Sequence, residues 1–219
     1  MANLIIFGAG DIARLAHFYF KTDTEHEVVA FTVDKAYREA DECQGLPLVD
    51  FENITDTYPP SEYQAFVALS YAKMNQVRTQ KYLKCKELGY EVISYVSSRC
   101  SYLTEHPVGE NCFILEDNTV QPFVKLGDNV TLWSGNHIGH DSTIDDNCFI
   151  TSHVVVSGNC HIGKNCFIGV NATLRNSLTV APFTLIGAGA IIMKDTNEKD
   201  VYVPERAKLF KKKSDEIEM

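Results

Sequence analysis

From Val108 onward an aliphatic residue recurs at every sixth position, without a gap, as far as Ile192. The series passes through Ile114, Val120, Leu126, Leu132, Ile138, Ile144, Ile150, Val156, Ile162, Ile168, Leu174, Val180 and Ile186, and all fifteen positions are Val, Ile or Leu. A period of six belongs neither to an α-helix nor to a lone amphipathic strand. It is the period of a β-helix, in which each hexad supplies one short strand and one corner. Three hexads close a triangular coil of eighteen residues, so residues 108–197 predict about five coils. The aliphatic residue faces inward and stacks on its equivalent one coil away. The residue four places on is often compact, as in Cys112, Asn118, Ser142, Cys148, Cys160, Cys166 and Ala172, and is predicted to face inward as well. Gly109, Gly127, Gly139, Gly163, Gly169 and Gly187 directly follow the aliphatic residue, which reads as a corner requiring unusual backbone angles.

The first 97 residues follow a different pattern. Leu4–Phe7 is a short buried-strand signal, and Gly8-Ala9-Gly10-Asp11-Ile12-Ala13 leads from it into a helical stretch, Arg14–Phe20. This is a G-x-G-x-x-A fingerprint between strand and helix, where backbone N–H groups at the helix start can meet a phosphate. A second strand, Glu27–Val33, ends at Asp34, placed to bind a ribose hydroxyl. A third strand covers Ala65–Leu69 and ends at Ser70. A helix from about Asn75 to Leu88 follows, with Gly89 as its C-terminal stop, and then a fourth strand, Glu91–Val96. These elements predict an α/β, Rossmann-like nucleotide-binding domain over residues 1–97. The parallel β-helix domain, with a C-terminal tail, then fills 98–219, and 98–107 is a polar connection. So short a first domain holds half of a dinucleotide fold, which favours a ligand bearing one nucleotide over NAD; a purely structural turn is the third reading.

Composition removes several classes. The net charge of −9 argues against a nucleic-acid partner. No apolar run reaches the length of a membrane span, and the first residues carry no basic region or leader-like pattern, so a cytoplasmic chain without a membrane partner is expected. Seven cysteines, an odd number with no C-x-x-C, do not make a disulfide framework. Four of them occupy the compact inward position and read as small hydrophobes.

The eighteen-residue coil also works as a ruler for chemistry. Trp133–Asp141 is the polar stretch of the repeats, and His140 and Asp141 follow inward Ile138 by two and three places, so both point outward at a corner. One coil on from His140 stands Gly158, at the interstrand spacing of roughly 5 Å. An imidazole base braced by a carboxylate, beside an approachable backbone N–H, supplies two elements that acyl transfer needs. A plain polar surface histidine is the equal alternative on spacing alone. His137 and His153 are further neighbours that read first as structural.

With Phe7-Gly8-Ala9-Gly10-Asp11-Ile12-Ala13-Arg14 in front, fifteen hexads behind, and His140-Asp141, Ser157-Gly158-Asn159 and Ile162-Gly163-Lys164-Asn165-Cys166-Phe167-Ile168-Gly169 within them, the chain resembles the sugar acyltransferases of the sialic acid O-acetyltransferase type over residues 3–204. Within that group it is similar to the bacterial N-acetyltransferases of nucleotide-linked 4-amino-4,6-dideoxy sugars, the bacillosamine, perosamine and viosamine enzymes of glycan and O-antigen lipopolysaccharide synthesis. The resemblance implies a left-handed β-helix, a homotrimer with sites in the grooves between copies, and acetyl-CoA as co-substrate without a metal. It implies His140 as general base, Asp141 as the acid that tunes it, and Gly158 as the N–H donor to the thioester carbonyl. Phe149 falls where the bacillosamine enzyme has a second histidine near acetyl-CoA. Val170 and Ala188 match positions along the CoA arm. Gly10, Asp11, Ile12 and Asp34 match nucleotide-sugar contacts, and Ser70, Asn75 and Arg78 are weaker matches beside what looks like an insertion, Tyr71–Met74. The C-terminal Val203-Pro204-Glu205-Arg206-Ala207-Lys208 departs from the family's closing turn. Lys211–Lys213 reads as a solvated tail, with the phosphates of CoA as the alternative. Histidine spacings of three (137, 140) and eight (153, 161) do not match the zinc-binding β-helices of the gamma carbonic anhydrases.

The expected activity is therefore transfer of acetyl from acetyl-CoA to the amine of a nucleotide-linked amino-dideoxy sugar. The competing readings are O-acetylation of a sugar, an NAD-dependent oxidoreductase and a non-catalytic β-helix scaffold. Which nucleotide and which sugar carbon are involved is not written in these motifs.

Overall fold

The computed structural model describes residues 3–217. Alternating apolar residues build the first domain. β1 (Asn3–Phe7), β2 (Glu27–Val33), β4 (Leu46–Asp50) and β5 (Tyr63–Val67) form a parallel sheet in the order β4-β2-β1-β5, with the two-residue β3 (Glu42–Cys43) antiparallel outside β4. Successive β1 side chains point to opposite faces. Leu4 and Ile6 join Ala13, Ala16 and Phe20 of α1 (Asp11–Asp23) on one side. Ile5 and Phe7 join Ile54 of the short α2 (Ile54–Thr57) and Tyr82 and Cys85 of α3 (Gln76–Glu87) on the other. The sheet is thus covered on both faces. β3 and β4 were not expected from the sequence, because Pro47 interrupts the short Leu46/Leu48 alternation. Pro47 is tolerated there because the bond to the β3 side comes from Leu48 N–H, to Asp41 O, and pairing with β2 begins only at Leu48, so no strand needs a donor at Pro47.

The hexads form a parallel β-helix of three sheets. Strands eighteen residues apart pair in register, for example Thr131–Leu132 with Phe149–Ile150 and His137–Ile138 with Val155–Val156. The helix is longer than the aliphatic series suggested. It begins at Tyr95–Val96 and Ser101–Tyr102, so part of the expected fourth α/β strand and the expected polar connection are its first coil. It ends with Val201–Tyr202, which pairs with Leu185–Ile186 after a shortened turn. One face carries seven strands and is covered by the first domain. The second face has six strands, Ser101–Tyr102 to Ile191–Ile192, and the third has four, Lys125–Leu126 to Thr179–Val180.

The interior is as the pattern predicts. Ile114 through Ile192 and the compact residues, including Cys112, Cys148, Cys160 and Cys166, are buried. Each of these thiols donates to a carbonyl fifteen residues on, such as Cys148 Sγ to Gly163 O at 3.1 Å, and burial pushes the Cys112 thiol up to about 12. The corners differ from expectation. Positive φ falls three places after the aliphatic residue, at Asn111, Asp117, Asn129, Asp141, Asn147, Asn159, Asn165 and Asn171 among others. Asn and Asp tolerate this left-handed conformation better than other side chains. The glycines directly after the aliphatic residue serve another purpose. A Cβ on Gly139 would lie 2.5 Å from Gly158 N, and one on Gly169 would lie 2.5 Å from Ala188 N, so these positions admit the backbone of the next coil.

The two domains are joined along the edge between the third and covered faces. Its left-handed asparagines form a ladder in which Asn111 Nδ2 donates to Asn129 Oδ1 and Asn129 Nδ2 to Asn147 Oδ1, both at 2.8 Å. At the start of this ladder, β5 bonds through Val67 N–H to Asn111 Oδ1 at 2.7 Å. Into its side goes Arg78, 2% exposed, which donates to Asn129 Oδ1 and to the carbonyls of Asn129, Asn147 and Cys148 at 3.0–3.2 Å. Its guanidinium also lies 5.3 Å from the centre of the Phe149 ring. Burial pulls the Arg78 pKa down to about 10, so it stays charged at neutral pH.

Removing this group leaves the Asn129 and Asn147 carbonyls without a donor, each worth about 1–3 kcal/mol, while Cys148 O keeps its bond from Thr131 N–H. Arg78→Ala is expected to lower the unfolding free energy by about 3 kcal/mol or more, with Arg78→Lys recovering only part because ammonium lacks the planar fork. Urea denaturation measures this, and a loss below about 1 kcal/mol would contradict a bonded junction.

Candidate active site

Three edges run along the β-helix, and each stacks residues eighteen apart. His140 and Gly158 lie on the edge between the second and third faces. The left-handed Asp141, φ 56°, turns its carboxylate back beside the preceding ring, and Asp141 Oδ2 lies 2.8 Å from His140 Nδ1. The backbone of His140 is fixed from both sides, its N–H donating to Gln121 Oε1 and its carbonyl accepting from Asn159 N–H. The free face of the ring lies against the next coil. A Cβ on Gly158 would be 2.7 Å from His140 Nε2, so only glycine admits the imidazole in this position. Among the described residues the Gly158 N–H has no acceptor. With Nδ1 held by a carboxylate, Nε2 is the nitrogen available to take a proton. A proton acceptor and an amide donor therefore stand one coil apart on an exposed edge.

His153 uses the same device on the edge between covered and second faces, its Nδ1 lying 2.5 Å from where a Gly135 Cβ would be. His137 lies outward on the second face, and His161 on the third face sits 3.0 Å from Asp145 Oδ2.

Val170 and Ala188 are exposed and stacked one coil apart, on the edge that carries His153. Within one chain the whole second face separates them from His140. That face and its flanks carry exposed apolar residues, Val155, Ile191 (68% exposed) and Met193. α1 climbs the Val170 edge. Asp23 near its end accepts from Tyr95 and Ser98, and Tyr19 donates to Glu116 at 2.7 Å, one coil higher. The start of α1 is thereby directed towards the rungs of Ser152 and Val170.

At that start Gly10 is the N-cap, and a Cβ there would meet nothing within 4 Å. Gly8 is the strained member of the fingerprint, at φ 127° and with Ala68 O only 2.7 Å from a built Cβ. Asp11 is exposed, with Arg14 3.7 Å away, and Ile12 packs partly into the core. Asp34 lies at the end of β2, but its carboxylate is held by Lys81 of α3, so a ribose hydroxyl would have to share it.

Three expected ligand contacts, Asn75, Arg78 and Phe149, are buried and need correction. Asn75 and Arg78 are buried in the domain junction, Asn75 Nδ2 donating to Cys166 O at 3.1 Å. Ser70 is exposed, and only its backbone carbonyl accepts from the same Arg78, at 3.4 Å. Phe149 is covered by Tyr71, with ring centres 5.2 Å apart, and stacks on Phe167 at 6.0 Å. Tyr71 thus closes over the aromatic stripe of the covered face. The sequence signal for the junction is the asparagine at every eighteenth residue, 111, 129, 147 and 165.

Comparison with known proteins agrees with this architecture. Residues 123–158 and 141–176 match the model of the bacterial transferase hexapeptide (six repeats). In structure the chain is similar to the acetyltransferase domain of PglB from Neisseria gonorrhoeae FA1090, at 21% identity over 92% of this chain and 96% of that one, TM-score 0.76. It is similar to PerB from Caulobacter crescentus in complex with CoA and GDP-perosamine, at 17% identity over 92% and 93%, TM-score 0.79. WeeI from Acinetobacter baumannii AYE aligns at 16% identity over 87% and 96%, TM-score 0.65. Residues 123–176 are thus a hexapeptide-repeat segment, within a fold that the chain shares with the PglB acetyltransferase domain and PerB.

Proposed function

We propose that this protein transfers acetyl from acetyl-CoA to the amino group of a nucleotide-linked amino-dideoxy sugar, for bacterial glycan synthesis. The observation that carries the reading is the His140–Asp141 pair, its Nε2 lying over Gly158. In the proposed reaction the neutral amine attacks the thioester carbonyl while His140 Nε2 accepts the amine proton. The Gly158 N–H stabilises the oxyanion, and collapse expels CoA thiolate, which takes up the proton from His140. Asp141 holds the tautomer and steadies the imidazolium. No acyl-enzyme is required, in keeping with cysteines buried inside the coils.

The nucleotide is assigned to the first domain, read as a Rossmann-like half-fold, with its phosphates at Gly10 and Asp11 and its ribose near Asp34. Beyond β1 and β5 the strand order reverses, a usual ligand position in open α/β sheets. The β-helix is taken as left-handed. The assembly is read as a homotrimer, because His140 lies on one edge while Val170, Ala188 and the start of α1 serve another. With the second face of one copy against its neighbour, the base of one copy meets the CoA edge of the next. PerB and the PglB domain have been crystallised with CoA or acetyl-CoA, and PerB with GDP-perosamine, which supports the same substrate classes here.

Thiol release from acetyl-CoA, assayed against UDP-, dTDP- and GDP-linked 3-amino and 4-amino sugars, is expected on one of them. His140→Ala is expected to cost about 10²–10⁴-fold in kcat. Silence across the panel would move the activity to sugar hydroxyls or a longer acyl donor, and full turnover by His140→Ala would remove His140 as base.

Gly158→Ala is expected to displace the ring without loosening the coil, since Gly158 does not need positive φ. Its kcat should fall at least tenfold and the His140 imidazole NMR resonances should shift, with the melting midpoint unchanged. An unchanged kcat would contradict the stacked geometry.

A further inference from the structure

We propose that the basic C-terminal segment Arg206–Lys213 binds the phosphorylated end of coenzyme A, a site that rests on the acetyl-CoA reading above. Its position comes from the register of the last coil. Val201–Tyr202 pairs with Leu185–Ile186, so Val203 and Pro204 run on over Gly187 and Ala188. Pro204 Cδ lies 3.2 Å from where a Cβ on Gly187 would be. The chain therefore leaves the β-helix at the top of the Val170 edge, on the rung after Ala188. From the coil of Gly158 and Ser152, that edge rises through Val170 and Ala188 to Pro204. Three rungs span roughly 14 Å at the spacing of parallel strands, a distance that an extended pantetheine arm covers. A thioester at the Gly158 level thus brings the diphosphate and 3′-phosphate to the level where the tail begins.

The tail's chemistry suits that end. Five of the chain's 20 Lys and Arg residues fall within residues 206–213, with no acid among them, on a chain of net charge −9. Among the described residues, Arg206, Lys208, Lys211, Lys212 and Lys213 make no ion pair, although the protein offers many carboxylates. Five cations on a tail that leaves from the top of that edge can form a polyanion site of high local potential. Leu209 and Phe210, 98% and 67% exposed, lie between the cations and offer an apolar surface to the adenine. The solvated-tail reading accounts for the exposure of these residues but not for a cationic run that begins two residues after the chain leaves this edge at Pro204.

Calorimetric titration of the full chain with CoA and with 3′-dephospho-CoA tests this, comparing wild type with Lys211→Glu/Lys212→Glu/Lys213→Glu. The variant is expected to bind CoA at least tenfold more weakly, with a smaller loss for 3′-dephospho-CoA. The gap between wild type and variant should narrow at high salt, because the interaction is screened. The melting midpoint should not change, since these side chains hold nothing in the fold. Equal CoA affinity in both proteins would overturn the proposal while leaving the acetyl-CoA reading intact. Failure of the wild type to bind CoA would overturn that reading, and the tail site with it.

Discussion

The stacked edges of this molecule depend on the coil length staying at eighteen residues from Tyr95 to Ile192. Parallel pairing of two-residue strands is weak for any single pair, and the stack holds because each strand is paired above and below in the same register. One inserted residue would turn inward aliphatic side chains outward along every following coil. It would also break the vertical alignment of the edges. The imidazole of His140 rests on Gly158, and the asparagines of the junction reach one another, only because their positions differ by eighteen.

The same regularity fixes the first domain. Its sheet is joined to the repeats through Asn111, and its third helix inserts Arg78 among the corner carbonyls. Among the described residues that guanidinium has no carboxylate partner. Carbonyl oxygens and the face of Phe149 replace its hydration. A buried cation held in this way tolerates little displacement, so the orientation of the α/β domain is set by it together with the bonds from Tyr19 and Asp23. That orientation directs the N-terminus of α1 at the edge where Val170 and Ala188 stack.

Much of this was legible in the sequence. The period of six gave the β-helix, the inward residues and the outward placement of His140 and Asp141, because each follows from counting along one chain. The eighteen-residue ruler also paired His140 with Gly158, which the stacked ring bears out. What counting missed were contacts between the two patterns. Asn75 and Arg78 were read as ligand contacts because polar residues after a strand of an α/β sheet usually are, and nothing local reveals that corner carbonyls await them. Phe149 was read from a single aligned position, whereas its burial depends on Tyr71 from the other domain. The glycines were assigned to backbone strain when steric contact with the next coil requires them, and the strain falls on Asn and Asp instead.

The central claim is that the base and the CoA edge of one active site come from different copies of the chain, and mixing two disabled variants tests it most directly. His140→Ala removes the base, and Ala188→Trp blocks the CoA edge of its own chain. Co-expressed, the two should assemble some interfaces that pair an intact His140 with an intact Ala188, restoring acetyl transfer that neither variant has alone. Mixed assemblies without activity would contradict the account and require both edges to act within a single copy.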